Sequence, residues 1–405
     1  MNRRDFTQYV AMGAGSLPML GANLPEALAD DGPVDDASQA PAQRKPPKRV
    51  EPVNVADFER LAHTRLPKPT FDYISTGSAD GWTLRENVAA FQRIRVLPPL
   101  LRGVGKTDLS TTVLNQRISL PIMLAPVAAQ RMYHPQGPLA AARGAKSAGT
   151  VFGVSSSAGN SVEEIARASS GPKWFQLYVP KDRKIARRLV RRVEKAGYRA
   201  IILTVDLGEW KDADRRNRFM LPKKMLVKHL RDVGFAVSDR MSYEKLIEFN
   251  ANAWDLALSW DFFGWLRSIT KLPLVIKGVL RKDDAKKAVS LGLDGIVVSN
   301  HGGRRLDGMP ATIDMLPEIV DAVAGKAEVY MDGGIRRGTD VLKALALGAK
   351  AVLIGRPYAW ALGADGERGV RTVIELLRAE LENAMIAGGC ANLSDVGPSL
   401  VLKPR

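Results

Sequence analysis

The chain predicts an α/β fold in which eight strand–helix units close into a single barrel. Three observations carry this reading. Eight short apolar runs recur between residues 122 and 354, and nearly all of them end in polar residues. Helical periodicity separates most of the runs, and eight units in about 250 residues is the size of one (β/α)8 TIM barrel. The reactive residue types gather at the carboxyl ends of the strands, the face on which such barrels work. A doubly wound open sheet also places ligands at strand ends and is the competing architecture.

In chain order, Ile122-Met123-Leu124-Ala125 ends in Pro126-Val127-Ala128, and Val151-Phe152-Gly153-Val154 in Ser155-Ser156. Trp174-Phe175 leads into Gln176-Leu177-Tyr178, and Ala200-Ile201-Ile202-Leu203 ends in Thr204-Val205-Asp206. Leu274-Val275-Ile276 ends in Lys277-Gly278, and Gly295-Ile296-Val297-Val298 in Ser299. Glu328-Val329-Tyr330-Met331 ends in Asp332-Gly333-Gly334, and Ala351-Val352-Leu353-Ile354 in Gly355-Arg356. Helical patterns cover 183–195, 283–291 and 338–347.

The last two units point to a phosphate. Asp332-Gly333-Gly334-Ile335-Arg336-Arg337-Gly338 follows the seventh run and Gly355-Arg356-Pro357 the eighth. In barrels these two loops often offer backbone N–H groups to a phosphate. Glycine permits close approach, and Arg336 and Arg356 bring charge.

The sixth run ends in Ser299-Asn300-His301-Gly302-Gly303-Arg304. The glycines remove Cβ bulk beside a ligand. His301 can take a proton near neutral pH, and Arg304 can clamp a carboxylate. A base beside such a clamp indicates an enzyme acting on an acid at the carbon next to its carboxyl group.

From about Val53 onward the sequence resembles the FMN-dependent 2-hydroxy acid oxidase and dehydrogenase family. That family includes glycolate oxidase, lactate oxidase, the flavin domain of yeast L-lactate dehydrogenase and mandelate dehydrogenase. The blocks are Phe71-Asp72-Tyr73, Thr83-Leu84-Arg85-Glu86-Asn87, Leu124-Ala125-Pro126, His134-Pro135-Gln136-Gly137, Phe175-Gln176-Leu177-Tyr178, Thr204-Val205-Asp206, Ile276-Lys277-Gly278, 299–307, 332–340 and Gly355-Arg356-Pro357. The resemblance implies FMN at the carboxyl-terminal face of the barrel and oxidation of an L-2-hydroxy acid, lactate-like or larger, to the 2-keto acid.

It also implies roles. His301 would be the base for the substrate hydroxyl proton, or for the α-proton in a carbanion scheme, and Asp206 would hold its imidazolium. Arg304 and Tyr73 would bind the substrate carboxylate, and Tyr178 the hydroxyl or keto oxygen. Lys277 would stabilise negative charge on the reduced flavin. Pro126, Ala128, Ser155, Gln176, Thr204 and Ser299 would line the isoalloxazine and ribityl chain. Asp332, Gly334, Arg336, Gly355 and Arg356 would hold the phosphate end.

Plainer readings stand beside these. His63 and His229 read as surface or structural residues, and His134 as a turn cap. Tyr73 and Tyr178 could be packing residues, and Asp206 a helix cap. Lys277, after three apolar residues on a central strand, requires a partner.

The sequence departs from the family after Thr204-Val205-Asp206. It reads Leu207-Gly208-Glu209-Trp210-Lys211-Asp212-Ala213-Asp214, shorter and without the usual proline, and Lys211 stands in place of the family's second carboxylate-binding arginine. Lysine keeps the charge but loses the planar fork, so the substrate need not be glycolate or lactate. Ser157 stands where plant-type glycolate oxidases carry tryptophan, which suggests more room. Residues 221–256 read as a mobile active-site loop.

The amino terminus reads separately. Arg3-Arg4 precedes a mildly apolar stretch over 9–24 and the small-x-small site Ala27-Leu28-Ala29. Residues 1–29 resemble a twin-arginine export signal, which places the folded protein in the periplasm. An uncleaved membrane anchor and a disordered basic start are the alternatives. Residues 30–50, rich in proline, alanine and charge, read as a disordered linker, and 51–405 as the enzyme domain.

The 405 residues carry a net charge of +16. This suits an anionic membrane surface, an acidic redox partner or an anionic substrate, whereas no interleaved aromatics or motif support nucleic acid. The single Cys390 excludes an internal disulfide and argues against cysteine-based metal or redox chemistry, and no metal is expected. The electron acceptor, whether oxygen, a quinone or a cytochrome, stays open. A homo-oligomer, a tetramer, is implied by resemblance alone. Two other readings are a flavin-binding protein without this turnover and a phosphate-binding barrel of another chemistry, such as an isomerase.

Overall fold

The computed structural model describes residues 51–206 and 219–402. The expected leader and linker, and Lys211, lie outside the described residues.

All eight predicted runs form strands: β1 (Ile122–Leu124), β2 (Phe152–Ser155), β3 (Lys173–Leu177), β4 (Ala200–Thr204), β5 (Leu274–Val279), β6 (Gly295–Val298), β7 (Glu328–Asp332) and β8 (Ala351–Ile354). They pair in parallel around a closed barrel, β8 returning to β1 and β6 to β7. This settles the choice between barrel and open sheet. Most of their residues are fully buried, as expected of parallel strands covered on both faces.

The helices are α1 (Val55–Arg65), α2 (Lys68–Ser75), α3 (Trp82–Arg93), α4 (Gly137–Ser147), α5 (Val162–Ala168), α6 (Arg183–Lys195), α7 (Lys223–Val233), α8 (Tyr243–Asn252), α9 (Asp261–Ile269), α10 (Lys282–Ser290), α11 (Thr312–Val323), α12 (Gly338–Ala346) and α13 (Arg356–Ala387). Local chemistry fixes several boundaries. Asp182 accepts from the Lys184 N–H and starts α6, whose Ile185, Ala186, Leu189, Val190 and Val193 form the buried stripe. Ser161 and Glu164 form a capping box on α5.

The segment read as a mobile loop, 221–256, instead carries two helices, α7 and α8. Leu226, Val227, Leu230 and Val233 recur at helical spacing and are buried, Gly234 closes α7 at φ +116°, and Ser242 caps α8. This is a correction. The apolar period was present in the sequence, but its basic residues masked it.

A hairpin not anticipated from sequence closes the amino end of the barrel. Strands Thr111–Val113 and Gln116–Ile118 turn through Leu114 and Asn115, both at positive φ as a tight primed turn requires. Val113, Leu114 and Ile118 pack with Met123, Trp174 and Tyr330 in the barrel interior. The Trp174 indole N–H donates to Gln116 Oε1 at 3.1 Å, and Glu328 accepts from the Leu114 N–H at 3.1 Å. One end is therefore plugged, which leaves the carboxyl end for chemistry.

Candidate active site

A cavity of about 510 Å³ opens at the carboxyl ends of the strands. At its centre His301 sits at the tip of the β6 turn with φ +57°, a left-handed conformation unusual for a non-glycine residue and typical of functional positions. The turn is over-determined. The His301 N–H donates to Ser299 Oγ at 3.0 Å, and Asn300 Oδ1 accepts from the Gly303 N–H at 3.2 Å. The Asn300 side chain exchanges two hydrogen bonds, 2.8 and 2.9 Å, with Asn87 on α3.

His301 Nδ1 lies 2.9 Å from Asp206 Oδ1. An ionised carboxylate can only accept, so Nδ1 carries the hydrogen and Nε2 is left as the basic nitrogen. Burial brings the imidazole down to about 4, Lys277 and Arg305 push the same way, and Asp206 opposes them. Burial works against the Asp206 charge, but His301, Lys277 and Arg305 hold its carboxyl below the ordinary range. At neutral pH the pair is thus a neutral base oriented by a carboxylate.

Lys277 is 3% exposed. Its ammonium lies 3.0 Å from Asp332 Oδ2 and donates to Ser299 Oγ at 2.7 Å, and Ser299 in turn donates to Asp332 Oδ1 at 2.6 Å. Burial opposes the charge, yet Asp332 and Asp206 raise the ammonium above its ordinary value. Gly278, at φ +114°, permits the register shift that re-aims β5 here; an added Cβ would come within 2.8 Å of the Asp206 side chain.

Tyr73, at the end of α2, stacks on Phe219 with ring centroids 4.0 Å apart. The Arg304 guanidinium lies over the Tyr73 ring at 4.9 Å and donates to the Tyr73 carbonyl at 2.5 Å. Arg356 donates to the carbonyls of Ile74 (3.0 Å), Gly302 (2.8 Å) and Thr76 (2.9 Å). Arg336 lies 5.0 Å from the Trp360 ring centroid. Burial, then the neighbouring Arg304 and Arg336 charges, push the Arg356 guanidinium well below its ordinary value. Three cations clustered this way call for an anion.

Most of the predicted residues line this cavity: Tyr73, Pro126, Ala128, Ser155, Gln176, Tyr178, Thr204, Lys277, His301, Arg304, Asp332, Gly334, Arg336, Gly355 and Arg356. Asp206 and Ser299 sit behind it, supporting His301 and Lys277. Asp332 is paired with Lys277, and the Arg336 and Arg337 N–H groups are taken by Asp340 at 2.9 Å, so the arginine side chains dominate the anion end. Gly334 lies against α3, where a Cβ would meet the Asn87 carbonyl at 1.9 Å. His229 is buried against Trp254 and also lines the cavity, whereas His134 Nδ1 accepts from the Gln136 N–H and lies outside it. Arg305, Phe219 and the apolar wall of Leu226, Ile247, Trp254 and Leu258 were not singled out from sequence.

The donor set fits FMN. Gln176 Nε2 is buried at the cavity and has no hydrogen-bond partner among the described residues, so a donor awaits an acceptor-bearing ligand. The clustered arginines suit its phosphate.

A histidine oriented by an aspartate, a buried lysine and a group of arginines share one cavity of a (β/α)8 barrel, the frame of an oxidoreductase that binds an anionic ligand. The chain belongs to the FMN-dependent dehydrogenase family, whose family model matches residues 62–403. It is 49% identical over 358 residues to 2-hydroxyacid oxidase 1 of Homo sapiens, covering 86% of this chain and 96% of the relative. Glycolate oxidase 1 of Oryza sativa subsp. indica is 49% identical over 349 residues, covering 85% and 94%. Among solved structures, mandelate oxidase superposes with a TM-score of 0.78 at 42% identity, covering 85% of this chain and 97% of that one. The protein is an FMN flavoprotein of 2-hydroxy acid oxidation.

Proposed function

We propose that the chain oxidises an L-2-hydroxy acid larger than glycolate to the 2-keto acid, with oxygen as electron acceptor and peroxide as product. The observation that carries this is His301, paired with Asp206 at 2.9 Å, in one cavity with Tyr178, Lys277 and Arg304. Arg304 and Tyr73 hold the substrate carboxylate. His301 Nε2 takes the 2-hydroxyl proton, and Asp206 stabilises the imidazolium that results. Tyr178 donates to the same substrate oxygen. Bound FMN would supply the two-electron acceptor for the α-carbon hydride, with oxygen as the final oxidant that leaves as peroxide. Lys277, which lines the cavity, would supply positive charge to the group that takes that electron pair.

The apolar wall on α7, α8 and beyond favours a substrate with an apolar or aromatic side chain. Oxygen as acceptor is supported by the similar proteins, which are named oxidases; a quinone or cytochrome is the alternative. Anaerobic mixing of the yellow protein with glycolate, L-lactate, L-mandelate and longer hydroxy acids tests the reaction. Bleaching by the larger acids and rapid colour return in air are expected. Preference for glycolate, or colour that returns only with a quinone or cytochrome, refutes the respective part.

We also propose twin-arginine export to the periplasm, on the Arg3-Arg4 pair and the Ala27-Leu28-Ala29 site. Changing both arginines to lysine should retain the protein in the cytoplasm; unaltered export refutes it.

A further inference from the structure

Arg305 follows the carboxylate-clamp arginine in the β6 loop and also reaches the cavity. Its Nη2 donates to Tyr178 Oη at 2.8 Å. The contact is directional. A guanidinium has donors only, so the phenol oxygen accepts, and its own hydrogen must point away from Arg305. The Tyr178 ring is held on another side by Trp254, edge-on at 6.4 Å between centroids. A ring pinned between Trp254 and Arg305 has little freedom to turn its hydroxyl out of register.

The charge acts on the same cluster. Asp206 from β4, Lys277 from β5 and Arg305 from the β6 loop all act on His301. Arg305, Asp206, Lys277 and Tyr73 act on the buried Tyr178 phenol, whose burial raises it while Arg305 lowers it.

We infer that Arg305 is a positioning residue for the oxidation, aiming the Tyr178 hydroxyl hydrogen at the substrate 2-oxygen and stabilising the negative charge that develops there. This rests on the reaction proposed above. Such an interaction strengthens as the oxygen loses its proton, so its removal slows flavin reduction more than it weakens substrate binding.

The test is a double-mutant cycle on the FMN-loaded enzyme, using Arg305→Gln, Tyr178→Phe and the double variant. Flavin reduction is followed anaerobically with L-mandelate, or with whichever acid bleaches the wild type fastest. Arg305→Gln should reduce the rate about 10- to 100-fold with less than about threefold change in substrate Kd. In the Tyr178→Phe background it should cost little more, because the group it acts through is gone. Arg305→Lys, which keeps a charged donor, should recover part of the loss. The acid limb of the rate profile should move to higher pH in Arg305→Gln, since a cation depressing His301 has been removed. Additive losses in the cycle, or an unmoved acid limb, overturn the inference.

A readout without turnover separates this from the reaction itself. Benzoylformate, a 2-keto acid, is titrated against the flavin absorbance of all four proteins. Its keto oxygen should bind more weakly in Arg305→Gln and Tyr178→Phe, and non-additively in the double variant. Wild-type protein that binds benzoylformate but is bleached by no hydroxy acid refutes the reaction while the cycle on binding still decides Arg305. Wild-type protein that shows neither response overturns both.

Discussion

Lys277→Met probes the most deeply buried charge pair of the site. The substitution keeps the length of the side chain but removes the ammonium 3.0 Å from Asp332 Oδ2, leaving a carboxylate whose side chain is 9% exposed. Ser299 still donates to Asp332 Oδ1, but one hydroxyl does not replace a cation. Removing one partner of a buried pair costs about 3–5 kcal/mol. Protonation sets a ceiling on that cost. Neutralising an aspartate of ordinary pKa costs about 4 kcal/mol at pH 7 and about 1.5 kcal/mol at pH 5. The stranded carboxyl takes whichever route is cheaper, so the variant should lose about 4 kcal/mol at pH 7 and about 1.5 kcal/mol at pH 5, each relative to wild type at the same pH. Urea unfolding of the FMN-free proteins at both pH values measures this. The Lys277→Met, Asp332→Asn double variant should recover much of the loss at pH 7 and show little pH dependence of its own. A loss below about 1 kcal/mol, or an equal loss at both pH values, would refute the reasoning that this lysine is held by Asp332.

His301→Gln should retain FMN and slow flavin reduction by about 10²- to 10⁴-fold, read by anaerobic stopped flow; near-normal reduction removes His301 from the base role. With its imidazole held at about 4 by burial, the wild-type kcat/KM should stay flat from neutral pH down to about 5 and fall only below that. An acid limb near the ordinary histidine value of about 6.5 would contradict this. His229, also brought to about 4 by burial alone, binds its proton more readily in the unfolded chain than in the fold. Stability is therefore lost as pH falls from about 6.5 toward 4, by about 3 kcal/mol from this residue, and His229→Leu should abolish that share of the acid sensitivity seen in urea unfolding.

The barrel was legible because each strand is an apolar run with a chemical residue at its end, and a parallel strand buried on both faces must be written that way. His301, Lys277 and Arg304 were legible for the same reason, since a basic residue after such a run demands a partner or a task. Three features were not. The Thr111–Ile118 hairpin is too short to carry a period, and its turn uses Leu114 and Asn115 rather than a glycine. The helix α7 was hidden by the lysines, arginine and histidine between its apolar positions, and α8 by the glutamates, lysine and asparagines between its own. Arg305 stands beside an arginine with an evident role, and only its geometry shows that it turns to Tyr178.

Only part of the role of α2 was legible, since the block Phe71-Asp72-Tyr73 marked Tyr73 and nothing marked the carboxyl end of the helix. Lys68–Ser75 is eight residues with no strand-end signal, yet its carboxyl end organises the positive charge of the site. The Tyr73 and Ile74 carbonyls and that of Thr76 just beyond accept from Arg304, and the Ile74 and Thr76 carbonyls also accept from Arg356. A helix carboxyl terminus carries partial negative charge, so it offsets part of the repulsion between these two guanidiniums. Arg304 and Arg356 line the same cavity, and in the proposed reaction the first would face the substrate and the second the phosphate. A helix outside the barrel thus fixes the spacing between the two guanidiniums, and it carries Tyr73 into the cavity at the same time. Catalytic geometry in this chain depends on that packing as much as on the strand ends themselves, which is why a sequence reading that begins from the strands finds the reacting groups before it finds what aligns them.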